Sequence, residues 1–457
     1  MATVLPVYPS TRRNVELVLL LGAVVIAAGA WAVVGLTMDG ALPANLALYA
    51  GGLAALALLL HGVLRWKAPH ADPILLPVAT LLNGIGLVVI HRLDITEDTA
   101  AAGRQLLWSA LGIVIAGAVL WFVRDHRVLR RYTFTAMVVG LVLLLLPLLP
   151  GLGRTINGAR IWIGIGPLSF QPGELAKLVL AVFFAGYLVV HRDALSLMGP
   201  KLLFLRLPRA RDLGPILLAW LASVGVLVLQ RDLGTSLLFF GLFVAMLYVA
   251  TERVSWIVVG LGLFAAGAVL AANVFGHVQE RVDIWLHPFA PDNLDRSYQL
   301  VQGLFGMANG GLLGTGLGEG RPDIVPFANS DFIYTSIGEE LGLVGLFAVL
   351  LLYGVIVERG LRTAIAVRDG FGKLLAAGLA FSMTLQIFVV VGGVTRVIPL
   401  TGLTMPFLAA GGSSLVSNWV LVAVLLRISD LARRPAPVVT DGPEPGDTGA
   451  TQVVRLP

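Results

Sequence analysis

Cysteine is absent from the 457 residues, which excludes disulfides and thiolate metal sites. Charge is nearly as scarce: 13% of the residues are Asp, Glu, Lys or Arg, against about 25% in soluble domains. No basic arm of the kind that grips nucleic acid is present, and 32 Lys and Arg face 27 Asp and Glu for a net charge of only +5, so no nucleic-acid partner is expected. A GxxxxGK[ST] run is missing too. The glycines from Gly310 to Gly318 are therefore not a P-loop, no nucleotide cofactor is expected, and they read as tight turns and close helix approaches. The leading segment MATVLPVYPSTRRNVE carries no A-x-A-like cleavage site, so the apolar run after it reads as a first transmembrane helix and not a removed signal.

What remains is hydrophobic: 57% of the residues are apolar and the mean hydropathy is +0.88, which makes this an integral membrane protein. A bilayer core takes about 20 apolar residues per helix. Spans fall near 15–37, 46–64, 73–91, 105–123, 133–149, 172–190, 213–229, 233–250, 255–276, 333–357, 372–395 and 405–427, an all-α polytopic chain of about twelve helices. The polar break QRDLGT between the seventh and eighth reads either as a short loop or as a kink. With the N-terminus cytoplasmic, 22 of the 32 basic residues fall on inside segments, which places both termini in the cytoplasm and the long connection 277–332 outside. Residues 1–66 are a leading helix pair, expected to be free of intramembrane charge and dispensable for chemistry, 67–428 are the core, and 429–457, rich in Pro, Gly, Asp and Thr, read as a disordered tail.

The connection 277–332 holds seven Asp and Glu residues before Glu339 and Glu340, together with aromatics and glycines, and reads as an ordered, working loop. Elsewhere polar groups gather at four places, and each charge inside a bilayer costs about 2.5–3.5 kcal/mol unless it faces a cavity or a partner. In Phe170-Gln171-Pro172-Gly173-Glu174-Leu175-Ala176-Lys177, a helix start explains Pro172 and Glu174. Lys177 is not explained that way: three residues after Glu174 on the same face, a cation there needs an ion pair or an anionic ligand. Asp232, in QRDLGT, and Asp331, in Asn329-Ser330-Asp331-Phe332, both suit a helix N-cap as well as a site. The fourth place, Thr395 to Ser414, has two prolines and clusters of small residues, a pattern that suits close packing or backbone lining a protein cavity. Together the carboxylates, Lys177 and the arginines outline a hydrophilic pocket opening outward.

At these places the chain resembles the SEDS family of shape, elongation, division and sporulation proteins, whose members include RodA and FtsW. The pattern FQPSE-x-AK is similar to Phe170–Lys177 with Gly173 for the serine, and QPDLGT to Gln230–Thr235 with Arg231 for the proline. R-x3-W/L-x2-P, then YQ-x2-Q-x7-GG-x2-G-x-G, resembles Arg281–Gly316, including Gln302, and TDFIF-x4-EELG resembles Ser330–Gly342. LP-x2-G-x-P-x-P-x2-S-Y-GGSS is similar to Ile398–Ser414, with Thr404 for the middle proline. The likeness covers roughly 73–428, and GGVTRVIPLTGL with the short tail lies closer to the RodA branch, in actinobacterial form, than to FtsW. Two departures stand out: the leading pair precedes the ten-helix family core, and in Gly158-Ala159-Arg160-Ile161-Trp162 the arginine of GA-x-RW is displaced by one position.

The resemblance implies a peptidoglycan glycosyltransferase that polymerises lipid II at the outer face of the bacterial plasma membrane, for elongation or division, beside a class B penicillin-binding protein. It makes Asp331 the candidate base and Glu174, Lys177, Asp232, Arg281, Gln302, Glu339 and Arg396 substrate-binding candidates. Lys177 and Arg281 are expected to meet the pyrophosphate. Glu174, Asp232 and Asp331 are the candidates for holding a divalent cation, Mg or Mn. No Asp-x-Asp nucleotide-sugar motif occurs, in keeping with a lipid-pyrophosphate donor. The competing classes are a lipid II flippase or other transporter, which places its polar groups at mid-membrane in broken helices of corresponding repeats, and a non-catalytic scaffold, which tolerates loss of Asp331.

Overall fold

A computed structural model of the chain describes residues 11–156, 158–165, 168–196, 201–202, 205–206 and 210–435. Its helices are α1 (Arg13–Met38), α2 (Leu46–Lys67), α3 (Leu75–Glu97), α4 (Ala101–Phe122), α5 (Thr133–Leu145), α6 (Pro172–Ser196), α7 (Ala210–Leu229), α8 (Leu233–Thr251), α9 (Val254–Val274), α10 (Gly276–Leu286), α11 (Leu294–Gly310), α12 (Ile333–Ala366), α13 (Gly370–Val394) and α14 (Gly412–Arg433). Among the described residues eleven helical segments are long and apolar enough to cross a membrane, α5 counting with its flanking turns as His126–Leu148. Helix α7 makes the twelfth crossing. The Gln230 side-chain amide donates to the Leu144 carbonyl at the end of α5, so α7 finishes on the side where α6 begins and has to return through the bundle. QRDLGT is thus a tight turn between two helices.

The expected pattern is corrected in four places. The connection before α6 folds as a three-stranded antiparallel sheet, β1 (Gly153–Ile156), β2 (Ala159–Ile165) and β3 (Leu168–Phe170), with Gly153 opposite Ile163 and Ile163 opposite Phe170. A two-residue hairpin, β4 (Lys201–Leu202) and β5 (Leu205–Arg206), joins α6 to α7. These strands are too short for a periodic signal to separate them from loop. Helix α14 runs to Arg433, past the tail boundary expected at 429, because Ser429 and Asp430 are buried and hydrogen-bonded to the backbone at Asp72 and His70. The rest of the expected tail, 436–457, lies outside the described residues. Finally, the leading pair does carry intramembrane charge: Arg13 and Glu16 of α1 pair at 2.6 Å, and Glu16 also meets His61 of α2 at 2.7 Å, all three buried.

That pair is not a separate module. Leu20, Ala27, Trp31, Ala57 and Leu60 share one continuous core with α3, α4 and α14. Arg13 also donates to the Ala71 carbonyl, fastening α1 to the start of α3.

The connection 276–332 is ordered, as its composition suggests, and contains α10 and α11. Its glycine run docks on a break in α12. Gly342 there has φ +64°, where a Cβ would lie 2.3 Å from the Gly314 nitrogen, so only glycine is tolerated. The break frees the carbonyls of Glu339 and Glu340, which accept from the amides of Thr315 and Gly316 at 3.0 Å each. In return the amides of Leu343 and Val344 donate to Gly311 and Leu312. Irregular backbone in a transmembrane helix is thereby satisfied by protein, the condition for its being tolerated in lipid.

Candidate functional site

Asp331 precedes α12 without capping it: the residue at the cap position is Phe332, and no side chain bonds the first-turn amides. The cap reading therefore fails, and the carboxylate is left for other work. Half-buried, it is pushed up to about 6 by desolvation, offset by the nearby Arg281 guanidinium and a hydrogen bond from Ser330. Gly402, at φ +75°, lies so close that a Cβ there would stand 3.6 Å from Asp331 Oδ2.

Asp232 does cap its helix, accepting from the Thr235 amide at 2.9 Å. Its pKa is also raised by burial, and of the neighbouring charges Glu174 reinforces this while Arg281 opposes it. Arg281, on α10, is the shared cation of this group. Burial lowers its pKa while Asp232 and Asp331 raise it, and its Nη1 donates to the Leu400 carbonyl at 2.7 Å. A guanidinium in the field of two carboxylates, with one edge on backbone, is a preorganised cation for an anionic ligand.

Lys177 finds the partners its position called for. Its ammonium lies 2.6 Å from Glu174 Oε2 and 2.7 Å from Gln386 Oε1 and is buried, so it stands behind the group and does not open toward a ligand. Gln386 passes the contact on, donating to the Thr404 carbonyl at 2.9 Å. The segment 395–411 is thus laid over Glu174, Lys177, Arg281 and Asp331. It is secured further by Ala410 N on Asn329 O at 2.7 Å and by Tyr353 Oη on the Pro406 carbonyl.

The other expected residues lie elsewhere. Glu339 accepts from the Arg321 amide at 2.9 Å and from Asn309 at 3.4 Å, holding the glycine run in place. Its neighbour Glu340 pairs with Arg92 of α3, which also donates to the Gly320 carbonyl and approaches Asp323 at 3.7 Å. Exposed Arg396 clips the end of α10, donating to the carbonyls of Trp285 and Leu286 at 2.8 and 2.9 Å. Gln302 is half-buried on α11. Arg160 sits on the sheet, its amide on Gln230 O and its side chain on Leu149 O. Among the described residues no three His, Asp or Glu side chains gather as a metal-holding set; of the three candidate carboxylates, Glu174 Oε2 meets Lys177 and Asp232 Oδ1 accepts from the Thr235 amide.

The family described as "Cell cycle protein", that of FtsW, RodA and SpoVE, matches residues 73–434. The chain belongs to the SEDS family. It is 50% identical over 455 residues to the peptidoglycan glycosyltransferase RodA of Mycobacterium tuberculosis, covering 97% of this chain and 96% of that protein. It is 33% identical to the stage V sporulation protein E of Bacillus subtilis, over 80% of this chain and 99% of the relative. Among solved structures it resembles the rod shape determining protein RodA of Thermus thermophilus (TM-score 0.57, 28% identity, 80% of this chain and 98% of that one). It also resembles a chain from a peptidoglycan synthase complex that coordinates polymerization and crosslinking (TM-score 0.55, 28% identity, 83% and 96%). The leading pair lies outside the matched SEDS region, whereas the likeness to the mycobacterial relative covers 97% of the chain. Sequence reasoning missed Gln386 and Arg92. The available signal was the same for both: a lone polar side chain in an apolar span needs a partner.

Proposed function

We infer that this protein is a peptidoglycan glycosyltransferase that polymerises lipid II. One observation carries the reading: a half-buried carboxylate, Asp331, whose pKa stands at about 6, sits beside the cation Arg281 under a backbone lid at one end of a membrane bundle. A base near neutrality suits removal of a proton from the acceptor sugar hydroxyl. As the new glycosidic bond forms, the bond to the lipid pyrophosphate breaks and the departing oxygen gathers charge, which Arg281 is placed to stabilise. Asp232 orients Arg281. The Lys177–Glu174 pair holds the lid through Gln386 and keeps it over the reacting groups.

The excess of basic residues at the end opposite Asp331 supports a cytoplasmic position for that end and an outer-face site. The resemblance to a chain of a synthase complex supports a class B penicillin-binding protein as the partner that cross-links the product.

The decisive experiment supplies purified protein, alone and with its partner, with lipid II and follows glycan strands. Asp331→Asn should lower polymerisation by at least about 100-fold, the lower range for loss of a general base, with expression and partner binding unchanged. Asp323, in the same loop, is not a neutral comparison because it lies against Arg92 and Arg321; exposed Asp295→Asn serves instead and should cost little. Polymerisation by Asp331→Asn near the wild-type rate would remove the base from Asp331, and lipid II translocation without strands would favour a transporter.

A further inference from the structure

At the end opposite Asp331, the starts of α1 and α3 meet α12 and the last turn of α14 around a cavity of about 430 Å3. Its walls include Thr11, Arg12, His70, Ile74, Arg359 and Arg433. The charges around it are arranged in depth. Asp72 lies behind the lining, fully buried, accepting from Arg433 and from the Ile74 amide and lying 3.9 Å from Arg359. Asp430, also fully buried, accepts from the His70 amide at 2.9 Å and from Arg434 at 2.6 Å, and Arg427 stands at 3.5 Å. Glu358 lies along Arg359 and Arg362. The carboxylates near the cavity are thus paired with arginines, and two of those arginines, Arg359 and Arg433, also line it.

Arg12 completes the rim. It is exposed, forms no ion pair among the described residues, and has φ +44°, a left-handed backbone uncommon for a residue with a Cβ. The Arg13 contact to Ala71 and the Arg13–Glu16 pair hold that turn against the cavity. The remaining wall is mixed, with Thr11 and His70 beside Ala71, Pro73 and Ile74 where α3 enters the bilayer.

We propose that this cavity binds the phosphate of an acidic phospholipid from the leaflet at this end, with Arg12, Arg359 and Arg433 on the phosphate oxygens and the glycerol end along Pro73 and Ile74. The shared chemistry is a phosphate oxyanion. Two placements favour the lipid over a free phosphate: the cavity lies at the ends of apolar spans, where headgroups sit, and the apolar side chains of Pro73 and Ile74 stand beside its arginines. Basic pockets between transmembrane helices are a recurrent form of headgroup site.

The test uses the full-length protein in neutral detergent, with bound lipid counted by native mass spectrometry and melting followed as phosphatidylglycerol, phosphatidylcholine or inorganic phosphate is added. Phosphatidylglycerol should be retained and raise the melting temperature, phosphatidylcholine should do neither, and inorganic phosphate at equal concentration should not displace the lipid. Arg12→Ala, which leaves every ion pair intact, should weaken phosphatidylglycerol retention about fivefold, the effect of one cation at an anionic headgroup. Arg124→Ala removes an exposed cation elsewhere at the same end and should leave retention unchanged. Equal loss from both variants, no loss from Arg12→Ala, or full displacement by inorganic phosphate would each overturn the proposal.

Discussion

Two charged clusters lie at the same end of this molecule, and both were drawn from the same motifs. Around Asp331, the carboxylate and the Arg281 guanidinium are half-buried and act on each other through their charges, without the short direct pairing that would saturate either one. Around Glu340, the charges are saturated: Arg92 spreads its donors over Glu340, Gly320 and Thr96, and Glu339 is taken by backbone and Asn309. The first arrangement leaves capacity for a substrate. The second spends its capacity joining α3, the glycine run and the broken turn of α12, and so fixes the height at which Asp331 sits. Chemistry and bracing are thus separated by residual hydrogen-bonding capacity and not by residue type.

The largest effect is expected from opening the brace. Arg92→Met strands Glu340 in a buried site, and removing one partner of a buried ion pair typically costs about 3–5 kcal/mol. Melting in detergent should fall by many degrees with activity lost alongside, and adding Glu340→Leu should recover most of the stability. If Arg92→Met melts like wild type, the cluster is not a brace. A smaller effect is expected from pH. With the Asp331 carboxyl raised to about 6, the basic form falls about tenfold between pH 7 and pH 5, and polymerisation should fall with it. The sign for stability is opposite. A raised carboxyl costs stability above its folded pKa, and that cost vanishes as pH drops below the ordinary value of about 3.9. Activity should therefore decline between pH 7 and pH 5 with no matching loss of melting temperature, and a parallel loss of both would point to unfolding. The smallest effect belongs to Arg396→Ala. It frees the end of α10 from two exposed hydrogen bonds worth about 1 kcal/mol each, so a rate loss of several-fold with a fall of only a few degrees in melting temperature is expected. A collapse to the Asp331→Asn level would place Arg396 in the chemistry itself.

How far the site could be read in advance depended on distance along the chain. Lys177 lies three residues from Glu174, so their pairing was legible as a helix-face relation, and Asp232 as a cap follows from its place before Leu233. Arg92 and Glu340 are separated by 248 residues and Lys177 and Gln386 by 209, and no local pattern connects either pair. The two short sheets escaped for a different reason, since strands of two to seven residues carry too few alternations to register.

Composition and hydropathy by themselves determined a polytopic helical bundle, because a backbone in hydrocarbon has to satisfy its own hydrogen bonds and an apolar run of sufficient length does so as a helix. Five motifs in order determined the family. Only the tertiary structure decided which charges remain available. Burial and partners set by the crossing of α3, α6, α12 and α13 turned Lys177, Glu339 and Glu340 into fastenings and left Asp331 and Arg281 open, since a charge taken out of water is quenched or poised according to whether its neighbours fill its hydrogen-bonding positions.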